Sequence, residues 1–284
     1  MMVSISAITP ILSFVSSALA FKATQGHYGT YSIVPGFFKQ SSNDTNVKTF
    51  DYHDNLGLND NLTWPEFRQQ ILDLNENAEP GVSYKVIYFG RHGQAWHNAA
   101  NEFYGEAFWC YYGLFAGNGT VTWGPDPELT PKGIASAKNN SVLIKSLIPE
   151  GFPLPQSFYS SPLTRAADTL NYTWFDLVLE PGYASPVFKE SLREWIGVGS
   201  HTIRRSRAYL EQRYPLFSYE ANFPVNDTLY SPYEGETDSA MQWRGKQFLD
   251  DVFNSDEAVF ISATSHGAIG DESLSWILFL FSWI

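Results

Sequence analysis

Three short runs rich in β-branched and aromatic residues, each closed by a turn that carries Arg or His, set the architecture of this chain. They are YKVIYFGRHG at 84–93, QSFYSSPLTR at 156–165 and EAVFISATSHG at 257–267. Runs of this length and composition, bounded by Gly, Pro or Ser, suit strands buried on both faces. Helical patterns separate them. In LTPKGIASAKNNSVLIKSL, Thr130 is placed to N-cap, Pro131 sits at the first helical position, and Ile134, Ala137, Leu143 and Ile144 form an apolar face. PLTRAADTLNYTWFDLVL repeats the device with Pro162 at its start, and PVFKESLRE reads as a strand running into a loop. TIRRSRAYLEQRYP and TDSAMQWRGKQFLDDVF read as helices. Strands alternating with helices predict an α/β fold, a three-layer α/β/α sandwich around a mostly parallel sheet. In such sheets ligands bind where the strands end at their carboxyl edge.

The main domain is expected over residues 81–284. Ahead of it, residues 21–80 read as a lead-in packed on that domain, with one short helix at about Trp64–Leu74 stopped by Pro80-Gly81. Residues 1–20 have the small and apolar character of a secretory leader, and Ala18-Leu19-Ala20 supplies an A-x-A cleavage pattern. N-x-S/T sequons begin at Asn43, Asn61, Asn118, Asn139, Asn171 and Asn226, in keeping with a secreted glycoprotein. Cys110 is the single cysteine, so no intrachain disulfide can form; among the aromatics of FWCYYGLF it is expected to be a buried small hydrophobe. The net charge of −12 argues against nucleic acid or an anionic membrane as partner, so any anion must be met by a local basic pocket. The apolar run that ends the chain is only about ten residues, too short to cross a bilayer.

Each of the three strand ends offers such basic chemistry. The first carries Arg91, His92 and Gly93, the second Arg165 one turn into its helix, and the third His266. Two guanidiniums and two imidazoles meeting at one sheet edge would hold a tetrahedral oxyanion, and an imidazole can also attack it. Gly93 would let the backbone approach that ligand closely. Other chemistries lack their signatures. There is no H-E-x-x-H, cysteine pair or dense carboxylate set for a metal, no G-x-S-x-G elbow and no Walker loop. No metal and no cofactor are expected.

The ordered set RHGQAWHN, DPELTPKGIASA, SSPLTRAADTL, LRE and ATSHG, spread over residues 84–267, resembles the histidine phosphatase superfamily. The branch is the phosphoglycerate-mutase-like one, in its fungal mutase-like phosphatase form. That resemblance implies a metal-independent phosphomonoesterase acting on a small-molecule phosphate ester through a phosphohistidine. It implies His92 as the nucleophile, and Arg91, Arg165 and His266 as ligands of the transferring phosphoryl group. Asn98 matches a phosphate-contacting Asn, and Glu194 matches the acid that protonates the leaving oxygen and then activates water; Glu190 and Glu102 are its rivals. The His-Asp pair of the acid-phosphatase branch is absent, because Gly267 follows His266. A phosphomutase is the alternative within the same chemistry, and a catalytically inactive secreted binding protein the alternative outside it. His97 is expected to be a packing residue. Arg204, Arg205 and Arg207 are expected on a solvated face, or else opposite a polyanionic substrate. The aromatic segments 101–124 and 211–234 are expected to wall the pocket, pointing to an organic group larger than glycerate.

Overall fold

A computed structural model of the chain describes residues 16–24, 30–42, 44–46, 50–51, 53–179 and 183–269. Seven strands make one sheet among these residues: β1 (Ser16–Thr24), β2 (Thr30–Ile33), β3 (Val82–Arg91), β4 (Ser157–Ser160), β5 (Val187–Phe188), β6 (Ser218–Tyr219) and β7 (Phe260–Ser265). Their spatial order is β2-β1-β3-β7-β4-β5-β6. The five strands from β3 to β6 run parallel, and β1 and β2 add an antiparallel edge beside β3. The sheet is therefore mostly parallel, as the strand–helix alternation requires.

The helices are α1 (Trp64–Glu76), α2 (Trp96–Tyr104), α3 (Glu106–Cys110), α4 (Pro131–Leu147), α5 (Thr164–Val178), α6 (Arg207–Arg213) and α7 (Asp238–Ser255). Four start on a hydroxyl cap: Thr63, Thr130, Ser206 and Thr237 each accept a backbone N–H from the first turn. At α1 the Glu66 carboxylate also accepts from the Thr63 N–H, closing a capping box. Pro162 does not open α5 but stands one residue before its N-cap, Leu163. That residue offers no side-chain oxygen, and Asp126 from a distant loop caps the helix instead.

Period-two alternation along the strands sends side chains to two cores. Val86, Tyr88, Phe158 and Phe260 face a cluster that includes Phe67 and Ile71 of α1, Ile144 of α4, and Leu170 and Trp174 of α5. Ile87, Phe89, Tyr159, Ile261 and Ala263 face the opposite side, where α7 supplies Phe248, Leu249 and Val252. This is the three-layer sandwich, with α7 alone among the named helices covering the second face. Burying each large apolar side chain contributes roughly 1.5–3 kcal/mol, which ties α1 firmly to the sheet. The described residues of 30–80 are thus packed into the fold: they supply β2, α1 and core residues Phe37, Phe38 and Leu58.

Two expectations fall partly beyond the described residues. Residues 1–15 of the expected leader lie outside them, and Ser16–Ala20 are the first part of β1. The apolar C-terminal run, 270–284, also lies outside them. Cys110 departs from expectation: it is exposed. The short helix α3 turns Phe108 inward against Ala100 and Trp123, which leaves the next two positions, Trp109 and Cys110, on the outer side.

Candidate active site

The three chemistry-bearing strand ends are neighbours in the sheet, in the order β3, β7, β4. Adjacent strands lie about 4.8 Å apart, so the residues just past their ends must share one small volume. His92 follows β3, His266 follows β7, and Arg165 lies in the first turn of α5 after β4. All three are buried, at 3%, 0% and 0% exposure. The His92 and His266 ring centres are 4.9 Å apart, and Arg165 Nε donates to His92 Nε2 at 3.3 Å.

The hydrogen bonds fix the state of each ring. His92 Nδ1 lies 2.7 Å from the Gly93 carbonyl, which can only accept, so Nδ1 carries the proton and the Nε2 lone pair faces Arg165. Burial, then the Arg165 and Arg91 charges, holds the His92 pKa well below the usual imidazole value. The ring is neutral at pH 7. His266 Nε2 sits 2.8 Å from the Ser161 hydroxyl. That oxygen also accepts the Leu163 N–H, and its own proton is free to point to Nε2, which leaves the His266 proton on Nδ1 facing the Glu194 carboxylate. Burial and Arg165 also hold the His266 pKa well below normal.

Glu194 brings a carboxylate to the same place. Its Oε2 is 3.8 Å from His266 Nδ1, and its Oε1 accepts the Trp195 N–H at 3.0 Å. Burial raises its pKa, against the opposing pull of Arg165. Its backbone is pinned by Arg244, whose guanidinium donates to the Arg193 and Glu194 carbonyls at 3.0 and 3.1 Å. The two rival carboxylates are elsewhere engaged. Glu190 pairs with the buried Arg193 and Arg204, and Glu102 accepts from the Gln94 amide.

Three buried donors converge here without a partner: Arg91 Nε, Arg165 Nη2 and His266 Nδ1. Arg165 is otherwise anchored by Nη1 on the His201 carbonyl at 3.0 Å, and burial pushes its pKa down to about 10. The helix α5 starts beside them, adding the positive end of its dipole. Ligand atoms of His92, Glu194 and His266 lie within 4.8 Å of one another, a spacing a metal ion could use. Arg91 and Arg165 beside them oppose a divalent cation and favour an oxyanion.

Other candidates stand differently. Asn98 spends its Oδ1 on the Ala95 N–H at 2.9 Å, capping the start of α2. Gly93 is tight for a reason other than ligand approach: a Cβ there would meet the Gly133 carbonyl at 2.7 Å, so it lets the loop after β3 press on the first turn of α4. Arg204 is not on a solvated face. It is 3% exposed, pairs with Glu190 at 2.5 Å and donates to the Pro224 and Asn226 carbonyls. Arg207 pairs with Glu211. Arg205 shares a cavity of about 340 Å³ with Trp96, Asp126 and Glu128.

Two residues of this site had no legible signal. His201 stacks on His97 with ring centres 5.2 Å apart and planes 5° apart, and His97 in turn lies 5.5 Å from His92. Four imidazoles therefore run in file from His266 to His201. Asp126 accepts from the Thr164 N–H and hydroxyl at 2.8 and 2.6 Å, fixing the turn that holds Arg165, and burial raises its pKa to about 6.

Comparison with known proteins agrees with this geometry. The model of the histidine phosphatase superfamily (branch 1) matches residues 87–280. A protein named "Probable phosphoglycerate mutase" from Arthroderma benhamiae is 37% identical over 255 residues, covering 84% of this chain and 76% of that one. "Phosphomutase-like protein 3" of Candida albicans is 34% identical over 242 residues, covering 84% and 71%. "Probable phosphoglycerate mutase PMU1" of Saccharomyces cerevisiae is 31% identical over 261 residues, covering 83% and 85%. With an Arg-His-Gly strand end, a second buried Arg and a second buried His drawn from neighbouring strands, the chain belongs to the histidine phosphatase superfamily, a family of phosphoryl-transfer enzymes.

Proposed function

We propose that this protein hydrolyses small organic phosphate monoesters through a phosphohistidine at His92, without a metal ion. The observation that carries the reading is the His92 ring itself. It is buried, neutral and protonated on Nδ1, with its Nε2 lone pair directed at the space where Arg165 and His266 present unpartnered donors. Arg91 Nε, Arg165 Nη2 and His266 Nδ1–H would bind the three non-bridging phosphoryl oxygens. Preorganised donors of this kind supply most of the stabilisation in phosphoryl transfer.

In the first step the Nε2 lone pair forms a bond to phosphorus as the ester P–O bond breaks. Glu194, kept protonated more readily by burial, gives its proton to the departing alkoxide oxygen. In the second step the Glu194 carboxylate takes a proton from water, and that oxygen attacks phosphorus. The P–N bond breaks, inorganic phosphate leaves, and Glu194 and the neutral His92 are restored. Holding a nucleophile and an acid together has no use in a mere binding protein. The names of the relatives point to phosphoryl transfer between hydroxyls as the second reading, favoured by the same nucleophile and distinguished by where the phosphoryl group ends.

The test is hydrolysis of an aryl phosphate by the purified protein in the presence of a chelator. Release of inorganic phosphate, inhibition by vanadate, and loss of at least about 10³-fold activity in His92→Ala are expected. An acid-labile phosphoenzyme should form on the wild type and not on the variant. Activity that survives His92→Ala refutes the nucleophile, and isomerisation of phosphoglycerate without phosphate release favours the mutase.

A further inference from the structure

Glu194 lies where the chain has no regular structure: residues 193–197 belong to no helix or strand. Its carboxylate has little of its own to fix it. Oε1 accepts the N–H of the next residue, Trp195, and His266 Nδ1 at 3.8 Å from Oε2 is beyond hydrogen-bond reach. The backbone of the loop must therefore decide where this carboxyl stands, and that backbone is held carbonyl by carbonyl. Arg244 of α7 donates from Nη1 to the Ser191 and Arg193 carbonyls at 3.3 and 3.0 Å, and from Nη2 to the Glu194 carbonyl at 3.1 Å. The Ser265 hydroxyl at the end of β7 takes the Leu192 carbonyl between them.

Glu236, just ahead of α7, closes the clamp from the other side of Glu194. Its carboxylate pairs with Arg244 and accepts the Ile196 N–H at 2.8 Å. Its own N–H donates to the Ile196 carbonyl at 2.8 Å, and its carbonyl accepts the Trp195 indole N–H at 2.8 Å. The pair sits in a costly place. Arg244 follows buried Met241 by three residues and precedes buried Phe248 by four, so it borders the apolar stripe of α7, and its side chain is only 11% exposed. An apolar residue would cover that border without the desolvation a guanidinium and a carboxylate suffer there. Apart from Glu236, the groups this guanidinium bonds are the carbonyls of the loop that carries Glu194.

We infer that Arg244, paired with Glu236, is a positioning residue for the acid: it sets where the Glu194 carboxyl stands, and so how poor a leaving group the enzyme can expel. The assignment rests on the phosphatase reading above, in which Glu194 protonates the leaving oxygen. Arg244 acts only through the loop and is not a ligand of the phosphoryl group. A shift of about 1 Å in a catalytic group can cost about 10²-fold in rate. An alkoxide needs the proton to leave and an aryl oxide does not, so the loss falls on alkyl esters.

The ratio of kcat on glycerol phosphate to kcat on an aryl phosphate reads proton donation apart from folding and phosphoryl binding, which weigh on both substrates alike. Arg244→Met keeps an unbranched stem on α7 and removes every donor, so it should lower that ratio at least about tenfold. Arg244→Lys keeps a charge opposite Glu236, but its one nitrogen cannot also hold the Arg193 and Glu194 carbonyls, and the ratio should again fall about tenfold. A pair that only tied α7 to its surroundings would be restored by lysine. In a Glu194→Gln background the acid is already gone, and adding Arg244→Met should move the ratio by less than about twofold. Equal losses on the two substrates, or a ratio that drops as far in the Glu194→Gln background as in the wild type, overturn the positioning role and leave Glu194 as the acid. A Glu194→Gln variant whose own ratio matches the wild type overturns the acid, and the positioning role with it. Should Arg244→Met fail to fold, Arg244→Lys is judged by the same ratio and the same background.

Discussion

Replacing Arg165 with lysine keeps the charge and removes the fork. The guanidinium does three things at once: Nη1 holds the His201 carbonyl at 3.0 Å, Nε contacts His92 Nε2 at 3.3 Å, and Nη2 remains for the oxyanion. A lysine has one nitrogen, and it cannot both anchor on the carbonyl and reach the phosphoryl group. Losing one oxyanion donor in a preorganised site costs about 10²–10³ in kcat, or roughly 3–4 kcal/mol of transition-state stabilisation. If the ammonium turns instead to the substrate, the buried His201 carbonyl is left unpaired, at about 1–3 kcal/mol of stability. At roughly 2–4 °C per kcal/mol for a chain near this size, the melting temperature should then drop by several degrees. Steady-state hydrolysis of an aryl phosphate and thermal melts, with and without vanadate, read both quantities on one sample. Arg165→Lys should lose at least about 100-fold in kcat and most of the stabilisation that vanadate gives the wild type. A variant within tenfold of wild type, with an undiminished vanadate shift, would refute the claim that this fork is bound to the phosphoryl oxygens.

Glu194→Gln should lose about 10²–10⁴ in turnover on an alkyl phosphate and far less on an aryl phosphate, whose leaving oxygen is weakly basic. Because burial raises the Glu194 pKa and the acid must be protonated, wild-type turnover of alkyl esters should fall as pH rises through that pKa, and the variant's profile should lack that limb. Asp126 binds its proton more tightly folded than unfolded, with its pKa raised from 3.8 to about 6. Folding stability should therefore decline as pH climbs between about 4 and 6 and flatten above, and urea midpoints for Asp126→Asn should lose that slope. A Cβ on Gly133 would lie 2.2 Å from the Gln94 carbonyl, so Gly133→Ala should push the loop after β3 away from α4. Melting should come several degrees lower, from about 1–3 kcal/mol of overpacking, with activity reduced as well.

The strands β3, β4 and β7 were legible because each is an apolar or aromatic run bounded by turn residues. β6 and β1 were not. β6 has two residues, Ser218 and Tyr219, too few for any period to show. β1 is small and apolar, SSALAFKAT, and its partners in β3 lie 58 to 74 residues further along the chain, so no local pattern marks it as a strand. At the site, Arg91, His92, Arg165 and His266 could be marked because each lies in a short motif at a strand end, whereas Glu194 was matched only through the resemblance of its LRE segment. His97 and His201 could not be paired, since a stack between residues a hundred positions apart leaves no trace in spacing. Arg204 was misjudged for the same reason: its partners, Glu190 and the 224–226 carbonyls, come from two other loops. A charged cluster in sequence says nothing about which of its members will be desolvated.

β1 covers the flank of β3, the strand that delivers His92. Its register pairs Ser16 with Gly90 and runs to Thr24 opposite Val82; five of those nine pairs, Ser16–Ala20, lie ahead of Phe21. Should processing after Ala20 remove them, the stretch Val86–Gly90 would present bare amides and carbonyls on its outer flank. Such a rim invites another chain to add itself as a strand. The His92 ring would then sit two residues from a junction between molecules.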